Sequence, residues 1–206
     1  VTSKLKQKVR IAYSLPAIKK FLIEKNGWYN DEWCTINWTA HSAAINKLYT
    51  KRRRLLQFLH NQLPTGTVMQ RRLPTYNSMC QACNSSAETN NHMLCCIHPD
   101  YQLWRVSLAK GLVTLCQSIQ TDPVLIDLLL LGLEASTLNI QMHVQEYSMQ
   151  YMEIIKEQEA IGWNNFFKGR FSKKWDIVQQ NYLKSINEKS IKLRADMWTF
   201  RIISYF

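Results

Sequence analysis

The 206-residue sequence contains no long, uninterrupted hydrophobic run. Its longest apolar stretch, from Val124 to Leu133, is interrupted by Asp127, and it is too short to span a bilayer, which takes about 20 apolar residues. No charged segment followed by an apolar one opens the chain, so we expect no secretory signal. These absences predict a soluble protein without a membrane segment, in a reducing, intracellular setting.

Stretches in which apolar and polar residues alternate are also missing, which argues against β-strands. Apolar residues recur instead with the period of an α-helix. We therefore predict an all-α protein, an irregular helical array with helices at about 3–25, 40–62, 67–72, 99–118, 123 to near 132, 138–160, 172–187 and 189–203. Pro16 should bend or break the first helix, Asp122 should cap the helix that begins at Pro123, and Gly132 should lie near its end. The aromatic stretch 28–38 should be an irregular connector.

Acidic residues are absent between Trp33 and Ala87. Residues 1–87 carry 14 Lys and Arg against three acids, whereas residues 88–206 carry 12 of each, so the whole excess of +11 is N-terminal. A surface of one sign attracts polyanions such as nucleic acid, although it can also serve only to keep a protein soluble. We predict that six of these residues bind the phosphate backbone of RNA or DNA: Lys47, Lys51, Arg53, Arg54, Arg71 and Arg72.

Cysteine is concentrated in one short segment. Four of the six cysteines fall within seventeen residues, and His92 lies among them. Two thiolates separated by two residues, as in Cys80 and Cys83, can turn around one ion, and sulfur with imidazole nitrogen is a typical donor set for zinc. Four protein ligands leave no open position for water, so the metal should be structural. The alternative is a group of buried free thiols.

The fourth ligand is ambiguous because two cysteines are adjacent. On a helix, Cys96 lies about 40° around the axis from His92 and Cys95 lies about 60° away. We therefore predict Cys80, Cys83, His92 and Cys96 as the ligands, with Cys95 as the substitute. We call the segment 78–98 the knuckle.

The order of motifs along the chain resembles a known family. It resembles the zinc-binding region that follows the polymerase in reverse transcriptases of non-LTR retrotransposons, and the resemblance covers about residues 45–105. The matching features are a basic helix, the turn Leu63-Pro-Thr-Gly66, Arg71-Arg72-Leu73, Cys80-x2-Cys83, Glu88-Thr89-x2-His92 and Cys96. The doubled cysteine at 95–96 departs from the single closing cysteine of that family.

This resemblance implies roles at the matching positions. It implies the same four ligands, Thr89 as the cap of a short ligand helix, and Glu88 beside the imidazole of His92. A carboxylate there would orient the ring, whereas the alternative for Glu88 is an exposed loop acid. The resemblance also implies an RNA-directed DNA polymerase as the parent polypeptide, with its polymerase domain upstream. Since the sequence begins at Val1 and ends at Phe206 without a polar tail, we expect a piece of a longer chain.

Convergent carboxylates, which two-metal phosphoryl transfer requires, are not evident. Asp100 and the pair of Glu153 and Lys156 are the nearest candidates for a nuclease, but both lie in helical pattern. We therefore predict a segment that positions nucleic acid without catalysis, organised as basic helices (1–77), the zinc knuckle (78–98) and a neutral helical module (99–206).

A zinc-containing protein-interaction scaffold is the competing hypothesis. In that case, aromatic residues of the tail would dock on a partner: Trp163, Phe166, Phe167, Phe171 and Trp175. At helical spacing, such residues more often belong to the core.

Overall fold

The computed structural model describes residues 2–138, 147–186 and 197–206. Within these ranges, strand pairing is limited to isolated bridges, so the all-α prediction is confirmed. No described helix is both long enough and apolar enough to cross a membrane. The helices are α1 (Thr2–Asn26), α2 (Asn30–Thr35), α3 (Trp38–Lys47), α4 (Arg52–Leu59), α5 (Gly66–Arg72), α6 (Asn90–Cys95), α7 (Pro99–Ser118), α8 (Pro123–Leu138), α9 (Met149–Ile161), α10 (Lys174–Ser185) and α11 (Trp198–Tyr205), with 3-10 turns at Tyr49–Lys51 and Trp163–Asn165.

Helix α1 continues past Pro16, so the proline does not break the helix. It ends where Gly27 adopts a φ of +65°, a left-handed conformation that glycine tolerates without strain. The Trp28 amide then donates to the Ile23 carbonyl at 3.0 Å. This bond across the helix end satisfies a carbonyl that would otherwise lack a partner, as in a Schellman cap.

The helix predicted at 40–62 is two helices, α3 and α4, separated by the 3-10 turn. The Leu48 amide donates to the Ala44 carbonyl at 3.1 Å and closes α3. Hydrophobic periodicity could not reveal this change, because a 3-10 turn repeats every three residues and keeps nearly helical spacing. The predicted connector 28–38 also contains a helix, α2. Its first turn is capped by Glu32, whose carboxylate accepts from the Tyr29 amide at 2.7 Å.

Helix α8 begins as predicted, because the Asp122 carboxylate accepts from the Val124 amide at 2.9 Å. It does not end near Gly132 but continues to Leu138. Gly132 serves packing instead, since a Cβ there would collide with the indole of Trp163. The last three predicted helices correspond to α9, α10 and α11, and the parts predicted at 139–146 and 187–196 lie outside the described residues.

The main core joins helices from both sides of the knuckle. Ala40 and Ala44 of α3 belong to the same buried cluster as Leu112 of α7, Trp175 of α10 and Ile202 of α11. Each of these side chains is at most 1% exposed. Helix α3, from the N-terminal half that holds the excess of positive charge, is therefore packed against C-terminal helices. The division at 77 and 98 remains a prediction from composition.

Candidate metal centre and basic surface

The first two candidate ligands lie in a tight loop. The Cys80 amide donates to the Ser86 carbonyl at 2.8 Å, and the Asn84 amide donates back to the Cys80 carbonyl at 2.8 Å. Asn84 has a φ of +51°, in the left-handed region that asparagine tolerates better than most residues. The loop thereby turns sharply and brings the sulfur atoms of Cys80 and Cys83 into the same cluster.

Helix α6 and the residue after it supply the other two candidate ligands. The Thr89 hydroxyl accepts from the His92 amide at 2.9 Å, which confirms the predicted cap. A cap matters here because α6 has only six residues, and its first amides have no partner within the helix. Cys96 follows with φ −56° and ψ 133°, so the chain leaves the helix at this residue.

The four predicted ligands form one cluster. The ligand atoms of Cys80, Cys83, His92 and Cys96 all lie within 4.8 Å of one another. The sulfur atoms of Cys80 and Cys96 are 3.9 Å apart, and Cys83 Sγ is 3.3 Å from His92 Nε2. A tetrahedral ion with ordinary zinc bond lengths requires separations of about 3.6–3.8 Å. The cluster can therefore hold a metal ion.

The surroundings shift the pKa values of two thiols of this cluster in opposite directions. A hydrogen bond from the Ser85 amide lowers the pKa of the Cys83 thiol to about 6. Burial raises the pKa of the Cys96 thiol, because a charge there is removed from water. A metal cation would offset that cost by pairing directly with the sulfur.

Cys95 and Cys96 point to different places. Cys95 Sγ lies 3.7 Å from the Ser136 carbonyl of α8, whereas Cys96 is completely buried within the cluster. The cluster thus contains Cys96, the residue chosen from the sequence, and does not contain Cys95. The argument for it was only partly correct, since Cys96 lies just beyond α6 rather than on the same helix face as His92.

Glu88 contacts a different partner from the one that the resemblance implies. Its carboxylate accepts a hydrogen bond from the Gly66 amide at 2.6 Å, at the start of α5. A negative charge at a helix N-terminus is favourable, so this contact explains its position. The expected role beside the His92 imidazole is replaced by a link between the knuckle and α5.

Arg105 was not predicted from the sequence. From α7 its guanidinium donates to the Leu94 carbonyl at 2.9 Å and to the Cys96 carbonyl at 3.0 Å. These carbonyls lie at the end of α6, where the last carbonyl groups have no amide donor within the helix. Arg105 thus holds the backbone of the fourth candidate ligand against α7. No local pattern distinguishes it from a solvated arginine.

The six predicted phosphate-binding residues are all exposed. Lys51 and Arg54 line one groove of about 470 Å³, between α4 and the C-terminal residues. Arg71 borders another depression of about 250 Å³. Lys47 lies with its ammonium 5.2 Å from the centre of the Phe200 ring. Arg53 and Arg72 line neither depression. In the part of the chain that the structure describes, none of the six predicted residues is in an ion pair.

Lys168 adds a cation that composition did not single out. It lines the groove of Lys51 and Arg54, and burial together with the nearby Arg170 lowers its pKa to about 8. Arg170 is itself buried and donates to the Asn165 side chain at 2.6 Å. Both residues come from the half of the chain that is neutral by count, so only the folded arrangement reveals their contribution.

Among the described residues, the Cys80, Cys83, His92 and Cys96 cluster is the one group of three or more Cys, His, Asp or Glu that can hold a metal. Glu153, a residue of the nuclease candidate pair, is ion-paired with Lys174, and Asp100 lies 3.7 Å from the ring of His98. No protein-family model, curated protein or solved structure matches this chain.

Proposed function

We propose that this chain is a zinc-stabilised nucleic-acid-binding segment of a retroelement reverse transcriptase, or a stand-alone remnant of one, which positions RNA or DNA without catalysis of its own. The observation that carries the proposal is the combination of a four-ligand cluster with exposed, unpaired cations on the helices that precede it. Each half of this combination supports a separate part of the function.

Zinc is the metal that suits the cluster best. Three sulfur atoms and one imidazole form a soft donor set, which favours zinc over magnesium or calcium. With four protein ligands the ion has no open position, so its role is structural. It would tie the loop of Cys80 and Cys83 to the end of α6, and through Glu88 it would fix the start of α5.

Phosphate binding explains why the cations lack acidic partners. In a protein that needed charge only for solubility, mixed signs would serve equally well. Here Lys51, Arg54 and Lys168 border one groove with no acid among its lining residues. A phosphate backbone supplies the missing negative charge, and release of its counterions supplies much of the binding free energy.

The assignment to a retroelement rests on the order of motifs given above. The cluster geometry and the Thr89 cap are consistent with it. In such a polypeptide, the upstream polymerase domain would carry the chemistry, and this segment would hold the template or its complement.

The test measures the affinity of the protein for a short duplex and for a single strand over a range of salt concentrations, with fluorescence anisotropy as the readout. Replacing Lys47, Lys51 and Arg54 together by Ala should flatten the dependence of log K on log salt by about two to three phosphate contacts. A matched control replaces Lys110, Lys156 and Lys184, which are exposed residues of the neutral half. Binding that does not depend on salt, or an equal effect in the control, would contradict the proposal.

A protein-interaction scaffold is the second candidate. The tail aromatics favour it little, because Phe166, Phe171 and Trp175 are fully buried. The observation in its favour is the exposure of large apolar side chains, since Ile97 of the knuckle is 63% and Leu103 of α7 is 69% exposed. If folded, zinc-loaded protein binds neither the duplex nor the single strand at low salt, the interaction scaffold is the better explanation.

A further inference from the structure

Arg170 is a buried cation without an acidic partner. Its side chain is only 4% exposed, and its guanidinium donates to the side-chain oxygens of Asn26 at 3.1 Å and of Asn165 at 2.6 Å. Both partners are neutral amides, and Arg170 is in no ion pair in the part of the chain that the structure describes. The Trp28 ring, centred 5.3 Å from the guanidinium carbon, offsets this charge only in part. A buried charge without an opposite charge is costly, so an anion held nearby would be favourable.

Lys168 places a second cation in the field of Arg170. It is partly buried and lines the groove of Lys51 and Arg54. Burial lowers the pKa of Lys168 to about 8, and the charges of Arg170 and Lys25 add to the effect. The Lys25 ammonium, at the end of α1, donates to the His60 carbonyl at 3.4 Å, at the end of α4. Cations from distant parts of the chain are thus brought together, and no carboxylate of the described residues acts on Lys168 in the opposite direction.

The backbone that carries Lys168 is held in place before any ligand binds. The Lys168 amide donates to the Asn165 carbonyl at 3.1 Å, and the Gly169 amide donates to the Phe166 carbonyl at 2.8 Å. Gly169 has a φ of +68°, and a Cβ there would lie 2.6 Å from Ile203 Cγ2, so this tight turn requires glycine. A side chain that extends from a fixed backbone loses less entropy when it binds a ligand.

We infer that Lys168 is the centre of a discrete phosphate-binding site in this groove, with Lys51 and Arg54 contributing from the side of α4 and buried Arg170 acting through its charge. No aspartate or glutamate is among the described residues that line the groove of about 470 Å³. Lysine binds phosphate as a compact point charge, and arginine adds a planar set of donors. A phosphate of a nucleic-acid strand is the source that we favour, and this choice rests on the proposed function. A free phosphate compound offers the same chemistry.

The experiment uses the zinc-loaded full chain and inorganic phosphate, with the ionic strength held constant by chloride. Isothermal titration calorimetry should show that Lys168→Ala weakens phosphate binding by about tenfold or more, as expected from the loss of one charged hydrogen bond. The matched control is Lys156→Ala, which removes an exposed lysine of α9 outside the groove and should bind phosphate like the wild type. A single strand of about 12 nucleotides should displace phosphate from the wild type.

Acetylation of the wild type provides a second measurement, which applies even if Lys168→Ala impairs folding. Phosphate at ten times its Kd should slow the acetylation of Lys168 by about tenfold and leave that of Lys156 unchanged, as measured by mass spectrometry of peptides. Equal weakening in the two variants, or a wild type that binds the strand but not inorganic phosphate, would overturn the site and leave the proposed function intact. Phosphate binding at Lys168 by a protein that binds no strand at low salt would keep the site and overturn the proposed function.

Discussion

The Glu88 carboxylate accepts a hydrogen bond from the amide of Gly66 at 2.6 Å, across a separation of 22 residues. The Glu88 carbonyl also accepts from the Thr67 amide at 3.1 Å. Gly66 is tightly enclosed, since a Cβ there would lie 2.7 Å from the Ser78 carbonyl oxygen. The knuckle therefore forms the N-terminal cap of the helix that carries Arg71 and Arg72.

We expect Glu88→Ala to destabilise the protein by about 1–2 kcal/mol, because α5 loses a charged cap. Glu88→Gln should cost less, since its amide oxygen still accepts from Gly66. Zinc content should remain near one ion per chain in both variants, because Glu88 is not a ligand. Urea unfolding and elemental analysis measure the two effects. Loss of zinc in Glu88→Gln would show that the carboxylate acts on the metal site instead.

Cys96→Ala should abolish binding of zinc, whereas Cys95→Ala should leave one ion per chain. The reason is that Cys96 lies in the ligand cluster, while Cys95 Sγ faces the Ser136 carbonyl. Native mass spectrometry of the two variants makes the comparison directly. The opposite result would mean that Cys95 is the fourth ligand and that α6 ends differently.

Cys83→Ser should also release the metal, with the helices after Pro99 still folded.

Stability should fall between pH 7 and pH 5 because His41 is buried in its neutral form. Burial lowers its pKa to about 4, from an ordinary value of 6.5. The unfolded chain therefore binds a proton that the folded chain does not, and stability present above pH 6.5 is lost as the pH falls toward 4. The expected loss at pH 5 is about 2 kcal/mol.

The control for this pH dependence is His41→Gln, whose amide can still donate to the Gly169 carbonyl that His41 Nδ1 approaches at 3.1 Å. Urea unfolding at pH 7 and pH 5 should show a smaller drop in this variant. Comparing the two drops removes the contribution of zinc release at low pH, which both proteins share. Equal drops would place the acid sensitivity in other groups.

Gly132→Ala should destabilise the protein by about 1–3 kcal/mol, although alanine is the better helix former. The added Cβ collides with the Trp163 ring, which packs across α8 at this position. Combining the change with Trp163→Leu should cost less than the sum of the two single changes. Thermal unfolding of the three variants measures the coupling, and strict additivity would argue against the contact.

The features that could be predicted from the sequence are those fixed by neighbours along the chain. The spacing of Cys80 and Cys83 and the position of Thr89 three residues before His92 determine local geometry, and both are observed. The break between α3 and α4 was missed because helical periodicity continues through it. The partners of Glu88 and the burial of Asn90 depend on contacts between distant segments, for which a single sequence has no local signal.

The packing of α3 against α11 has a consequence for synthesis and for proteolysis. The ribosome must make the chain as far as Trp198 before Ala40 and Ala44 can be covered, so the first helices leave the ribosome with an incomplete apolar face. A nick that releases α11 would uncover the same face and loosen the helix that carries Lys47. Helix α11 therefore helps to hold the helix that carries Lys47, although it contributes only Arg201 to the charge of the chain.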